Sequence, residues 1–307
     1  MLIQLNKTTA TFKNPSAPAL LFVHGAWHGA WCWEPHFLPF FVSKGFDCYT
    51  FDLPKHGKKK EEKGINQLRI KDYVNHLERA IDQIDRKIIL IGHSMGGYTI
   101  QKYLETKDDC QAAILLTSVP GKPIWRLFFK SLWELPLTMM KVITQFDLYH
   151  LVNTPEKARK FLFSSNFSKE KVLAYHQLLG PESFKVMVFD FLLSKIKPRK
   201  NKELPILVQA AEHDGIVSLS ENKYTAILQN ADFQLINNIA HDVMLEDNWQ
   251  QSANYILQWI NQYFPTTKVQ EKTTKNTNPI VFSNAIQDII GNLPSNQNVE
   301  KNDRFNQ

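Results

Sequence analysis

Short apolar runs rich in β-branched residues alternate along the chain with longer stretches in which apolar positions recur every three or four residues, the signatures of strands and helices in turn. Six runs read as strands: Ala19 to Val23, Asp47 to Phe51, Lys87 to Ile91, Ala112 to Thr117, Pro205 to Ala210 and Phe233 to Asn237. Each is too continuously apolar to face water on either side, which predicts a mostly parallel sheet covered by helices on both faces. Helical spacing covers about Glu34 to Lys44, Asn66 to Ile84, Met95 to Glu105, Ser220 to Leu228 and Asp247 to Tyr263. Each stretch is long enough for a right-handed crossover, so the expected class is α/β with a doubly wound sheet.

The alternation lapses after Pro120 and resumes at Pro205, so residues 119–204 are expected to form a helical lid between the fourth and fifth of these strands, with the core at 1–118 and 205–264. The insertion holds 13 of the chain's 36 aromatic residues, among them Trp125, Phe128, Trp133 and Phe161, a composition suited to apolar walls around a substrate. It also carries 15 Lys or Arg against 7 Asp or Glu, a net +8 that exceeds the +6 of the whole chain. Within it Lys122, Arg126 and Lys130 recur at helical spacing beside Trp125, Phe128, Phe129 and Trp133. That cationic stripe would suit an anionic membrane surface or an acidic carrier protein; an ordinary solvated face is the plainer alternative. From 265 to 307, 21 of 43 residues are Asn, Gln, Thr or Lys, which predicts a polar tail with too little to bury. Inside it Phe282, Ile286, Ile289, Ile290 and Leu293 keep an amphipathic spacing that would dock on the body or on a partner.

With 43% hydrophobic and 21% charged residues, 307 positions suffice for one α/β core with decorations and exclude a chain disordered throughout. Cys32, Cys48 and Cys110 form neither an even set nor a C-x-x-C pair, so neither disulfides nor zinc is suggested and a reducing, cytoplasmic compartment is expected. Residues 1–13 lack the features of a secretory signal, and no apolar run is long enough to span a bilayer. No nucleic-acid-binding module is present in the sequence, and neither cofactor nor metal is expected.

Gly92-His93-Ser94-Met95-Gly96 fits G-x-S-x-G, the sharp turn from strand to helix that lifts a serine hydroxyl above a sheet. The preceding Lys87 to Ile91 strand and the following helix supply the context that the turn requires. Small residues two before and two after the serine let strand and helix pass closely. A serine needs a base, and the base an acid, to attack at neutral pH. In a parallel sheet such groups gather in loops leaving the carboxyl ends of later strands, which selects Asp214, just past the fifth strand, and His241, just past the sixth. Glu212 stands as the alternative acid, and His24 and His93 read as structural hydrogen-bonding residues. Two backbone N–H groups should face the developing oxyanion: that of Met95, at the helix start, and that of Ala26, in the loop after the first strand. Trp27 reads either as a wall of the acyl pocket or as core, and Trp125 as a further pocket residue.

With these residues assembled, the chain resembles the α/β-hydrolase superfamily over about residues 19 to 264. His24-Gly25-Ala26-Trp27-His28-Gly29-Ala30-Trp31, Gly92 to Gly97 and His241-Asp242-Val243-Met244-Leu245-Glu246 are similar to the plant methylesterase and hydroxynitrile lyase group and its bacterial esterase relatives. The resemblance implies hydrolysis of a carboxylic ester or thioester of a small or lipophilic substrate, oxyanion amides from Ala26 and Met95, and a lid over the nucleophile. Asp52-Leu53-Pro54-Lys55-His56-Gly57 looks like the group's D-x-x-G-x-G turn with Lys55 in place of a glycine. The two antiparallel edge strands of larger members should be absent or reduced to one. The lyases of the group place a lysine after the base and a threonine after the loop histidine, where this chain has Asp242 and Gly25. The competing functions are acyl transfer or perhydrolysis by the same triad, and a non-catalytic ligand-binding receptor of the same fold.

Overall fold

Uninterrupted runs of Leu, Ile, Val and Ala can be buried on both faces only inside a sheet, and that is where they lie. The computed structural model describes residues 3–12 and 17–265. Its strands are β1 (Asn6–Thr8), β2 (Ala19–Val23), β3 (Cys48–Thr50), β4 (Ile88–His93), β5 (Ala112–Leu116), β6 (Ile206–Ala211) and β7 (Asp232–Ile236). They stand in the order β1-β3-β2-β4-β5-β6-β7, all parallel except β1, which pairs antiparallel to β3. β1 is thus a single antiparallel edge strand.

Side chains alternate faces along a strand, so each strand feeds two cores. Leu20, Phe22, Ile89, Ile91 and Ile114 join one, with α1 (Phe37–Ser43) and α9 (Trp249–Tyr263) over them. Leu21, Val23, Ile88, Leu90 and Leu115 join the other, under α2 (Ile70–Ile81) and α3 (Met95–Leu104), with Ala226 of α8 (Leu219–Gln229). Between β5 and β6 the chain forms α4 (Trp125–Glu134), α5 (Pro136–Gln145), α6 (Pro155–Leu162), α7 (Lys169–His176) and a π-helical turn at Val186–Leu192.

β7 departs from the expectation that every strand is closed to water. Asp232 is exposed, and Phe233, Gln234 and Leu235 are only half-buried. It is an edge strand with β6 as its one neighbour, and Asp232 accepts hydrogen bonds from Trp259 Nε1 (2.7 Å) and the Tyr263 hydroxyl (2.8 Å) of α9. The first predicted helix is also shorter: α1 begins only at Phe37, beyond Pro35, after a separate 3-10 turn at Ala30–Trp33. Among the described residues no helix is long and apolar enough to cross a membrane. The tail and its Phe282 to Leu293 segment lie outside the described residues.

Register sets up the site. Val23 lies opposite Gly92 and His93 opposite Leu116, so β2, β4 and β5 end nearly level and the residues that follow them leave the sheet side by side.

Candidate active site

Ser94 follows the last residue of β4 and precedes the first of α3, and its backbone is left-handed at φ +51°. For a residue with a β-carbon this costs about 1–3 kcal/mol and persists only where the surroundings enforce it. The glycines around it show the enforcement. A Cβ on Gly96 would lie 2.2 Å from the Val23 carbonyl oxygen, and one on Gly92 2.7 Å from that of Gly96. The start of α3 therefore passes directly beneath the end of β2. The Ser94 amide donates to the Leu116 carbonyl (2.9 Å), while its own carbonyl accepts from Tyr98 (3.1 Å) and Val119 (3.2 Å). Met95, as the first helical residue, has no carbonyl inside α3 for its N–H.

His241 follows β7 and Asp214 follows β6. The imidazole Nδ1 lies 2.9 Å from both carboxylate oxygens of Asp214, and both side chains are buried. Asp214 is itself oriented, because its Oδ1 accepts from the amides of Ile216 (2.8 Å) and Val217 (2.9 Å). The main chain of His241 is pinned to the ends of β4 and β5: its carbonyl accepts from His93 Nε2 and from the Thr117 hydroxyl, each at 3.0 Å. The rings of His93 and His241 are 4.9 Å apart. Glu212, the alternative acid, points away and accepts from the Asn238 amide (2.8 Å) on the exposed side of the loop.

Burial pushes the His241 imidazole toward neutrality, but the charge of Asp214, its hydrogen bond and the charge of Asp242 outweigh it, so the pKa stands above 6.5. His93 behaves oppositely. Burial and the neighbouring His241 lower it to about 3, so it is a neutral donor to the carbonyl of 241. His24 is neutral as well, pushed well down by burial, with Nδ1 donating to the Gly25 carbonyl (2.8 Å) and Nε2 accepting from the Leu53 amide (2.9 Å).

The loop after β2 closes over the serine. A Cβ on Gly25 would sit 3.1 Å from Ser94 Cβ and 2.7 Å from His93 Nδ1, so only glycine lets the loop approach this far. His28 holds the loop's next turn: Nδ1 lies 2.7 Å from the Ala26 carbonyl, and Nε2 3.0 Å from Asp242 Oδ2. Burial alone would raise the Asp242 carboxyl, but His28, bonded to it, and the facing His93 and His241 hold it below the ordinary value. Sequence reasoning passed over this pair. Its signal was present: an aspartate inside Ile239-Ala240-His241-Asp242-Val243-Met244-Leu245 needs a buried partner. A second such pair, His56 Nε2 to Glu182 (2.9 Å) with the Tyr73 hydroxyl on the same carboxylate (2.8 Å), ties the inserted helices to the turn after β3. In that turn Lys55 adopts φ +62°, the conformation that glycine would give freely, and its ammonium bonds the Lys63 carbonyl (2.7 Å).

His93, His241 and Asp242 bring potential metal-ligand atoms within 4.8 Å of one another. One atom of each residue is engaged, His93 Nε2 with a carbonyl, Asp242 Oδ2 with His28 and His241 Nδ1 with Asp214, while His93 Nδ1 and Asp242 Oδ1 are buried without a hydrogen-bond partner among the described residues. The trio reads as a hydrogen-bonded frame.

An apolar pocket of about 60 Å³ is lined by Trp27, Phe128, Met139, Phe161, Met187 and Ile216 among others. None of Ser94, Asp214 and His241 lines it. Two of its lining residues neighbour the site: Trp27, next to Ala26 in the chain, and Ile216, whose amide caps Asp214. Trp27 is thus at once buried core and pocket wall. Trp125 is corrected: it is 42% exposed, stacks on Phe129 on the outside of α4, and leaves the inner face to Ile124, Leu127 and Phe128.

A strained serine in the sharp turn between a buried strand and a helix, with a hydrogen-bonded Asp–His pair in the loops after two later strands, defines the class. The chain belongs to the alpha/beta hydrolase family, whose model matches residues 20–253. It is similar to norfluorocurarine synthase 2 from Strychnos sp (40% identical over 84 residues, 26% of this chain and 30% of that one). It is also similar to methyl jasmonate esterase 1 from Vitis vinifera (34% over 88 residues, 28% and 33%). Both matches span about a third of those relatives' own lengths. Among solved structures, a putative non-heme bromoperoxidase from Mycobacterium tuberculosis shares the fold, with a TM-score of 0.67 at 15% identity over 86% of this chain and 97% of that one.

Proposed function

We propose that this chain is a serine hydrolase that cleaves a carboxylic ester of an apolar substrate through an acyl-enzyme. The observation that carries the reading is the 2.9 Å contact of His241 Nδ1 with Asp214, on a histidine whose main-chain carbonyl is bonded to His93, next to the strained Ser94, and to Thr117. Asp214 holds the Nδ1–H tautomer, so Nε2 is left to take the Ser94 proton as Oγ attacks the ester carbonyl. The N–H groups of Met95 and Ala26 would receive the oxyanion, and donors of this kind are worth about 2.7–4 kcal/mol each. His241 then returns the proton to the leaving alcohol, and water repeats the sequence on the acyl-enzyme. The inserted helices act in this reading as the lid, and the apolar pocket beneath them takes the hydrophobic part of the substrate. The esterase named among the relatives supports the reaction class. A buried carboxylate directly after the base would repel cyanide, which disfavours a lyase.

The test is covalent. One equivalent of a fluorophosphonate is expected to abolish turnover of a chromogenic short-chain ester and to leave its adduct on Ser94 by peptide mass spectrometry. Absence of turnover, or an adduct elsewhere with activity intact, would overturn the assignment. The pH profile supplies an independent check. The base works only when neutral and its pKa is raised, so the acid limb of kcat/KM should lie above 6.5, with activity falling as pH drops through it. A limb well below that value would contradict the Asp214–His241 coupling.

A further inference from the structure

The α4–α5 hairpin is one helix thick, and both of its sides are apolar. Inward, Leu127, Phe128, Met139 and Val142 line the pocket. Outward, Phe129, Trp133, Leu137 and Met140 are 60%, 88%, 72% and 55% exposed. A helix apolar on all sides is ordinarily enclosed by protein or by lipid, and among the described residues nothing covers this face. Its charges are of one sign. Lys130 and Lys141 are exposed and neither engages an ion pair among the described residues, while Glu134, the acid between them, is bound to Lys160 (2.9 Å). Lys122 and Arg126 of the expected stripe do not contribute outward: Lys122 lies over the Tyr224 ring (4.9 Å) and Arg126 binds Glu221 (2.8 Å).

We propose that the outer face of the α4–α5 hairpin docks the protein on an anionic lipid bilayer, with Phe129, Trp133 and Leu137 entering the interface and Lys130 and Lys141 meeting the headgroups. A bilayer accepts protruding side chains without a matching cavity, and tryptophan and phenylalanine favour its interfacial depth. The lysines add attraction to anionic headgroups. An acidic protein partner would satisfy the lysines but leave Trp133 and Leu137 needing a groove. A second copy of the chain would bring two faces of like charge together. Docking is independent of the chemistry at Ser94, so its test reads binding alone.

The full chain is mixed with vesicles of phosphatidylcholine containing about 30 mol% phosphatidylserine, and with phosphatidylcholine alone, and partitioning is read by co-sedimentation and tryptophan emission. Binding to the anionic vesicles with a blue shift is expected. Partitioning should fall about tenfold or more in Trp133→Ser/Leu137→Ser and in Lys130→Glu/Lys141→Glu, and fall with added salt, the thermal midpoint staying at the wild-type value. Wild type failing to bind, or binding equally well in both double variants, overturns the proposal. So does a dimer that dissociates in Trp133→Ser/Leu137→Ser, which would make the face a self-interface. Vesicle binding that appears only in Phe282→Ser/Ile286→Ser would assign the face to the chain's own C-terminal segment and overturn it equally.

Discussion

Asp214→Asn is expected to lower kcat by about 10⁴ while leaving the fold and KM close to wild type. In the structure Oδ1 of Asp214 is held by the amides of Ile216 and Val217, so in the variant the amide oxygen keeps that place and the –NH₂ group takes the position of Oδ2, facing His241 Nδ1. A donor there competes with the amide oxygen at the Oδ1 position, also 2.9 Å from Nδ1, for the Nδ1–H tautomer, and the imidazolium formed on taking the Ser94 proton loses its counter-charge. Loss of the carboxylate charge also removes the main influence raising the His241 pKa, so what activity is left should show an acid limb shifted down. In the proposed mechanism Ser94, Asp214 and His241 act as a unit, so Ser94→Ala/Asp214→Asn should be no slower than Ser94→Ala alone. Steady-state kinetics on a soluble chromogenic ester checks all three statements. A kcat within tenfold of wild type would remove Asp214 from the mechanism.

Asp242→Ala is expected to destabilise the fold by about 3 kcal/mol, lowering the thermal midpoint by about 6–12 °C. The side chain is wholly buried, and its loss leaves His28 Nε2 in a dry site without its 3.0 Å acceptor. Since the folded-state pKa of Asp242 is lowered, its contribution is present in full above the unfolded value of about 3.9 and is lost as pH falls through the folded value. The gap in midpoint between wild type and variant should therefore be full at pH 7 and close in acid. His28→Ala/Asp242→Ala should cost less than the sum of the two single changes, which a double-mutant cycle measures. Additive losses would show that the two residues do not act as a pair. The same variant loosens the Ala26 turn that His28 holds, so its kcat should fall while that of a surface control such as Lys58→Ala does not.

How far such chemistry can be read from a sequence depends on how local its causes are. The nucleophile turn is legible because its steric demands fall within Gly92 to Gly97: strand, small residue, serine, small residue, helix. The inner strands are legible because burial on both faces requires an unbroken apolar run, as in Ala19 to Val23. β7 shows the limit. Its residues look like those of an inner strand, but the sheet ends there, and one neighbour cannot shield both faces. The insertion was legible as a lapse in the alternation and no further. Which side of α4 faces the pocket followed from packing, so Trp125 and Phe128, three positions apart, have opposite fates.

The sequence by itself therefore determined the α/β class, the position of the strained serine and the loops from which an acid and a base could come, since each rests on residues adjacent in the chain. Only the tertiary structure decided that Asp214 rather than Glu212 meets His241, that Asp242 pairs with His28 across 214 positions, and that the α4–α5 hairpin turns bulky apolar side chains outward. These depend on how strand ends, loops and inserted helices converge in space, and hydrogen-bond geometry and burial at such meeting points leave no periodic trace along the chain.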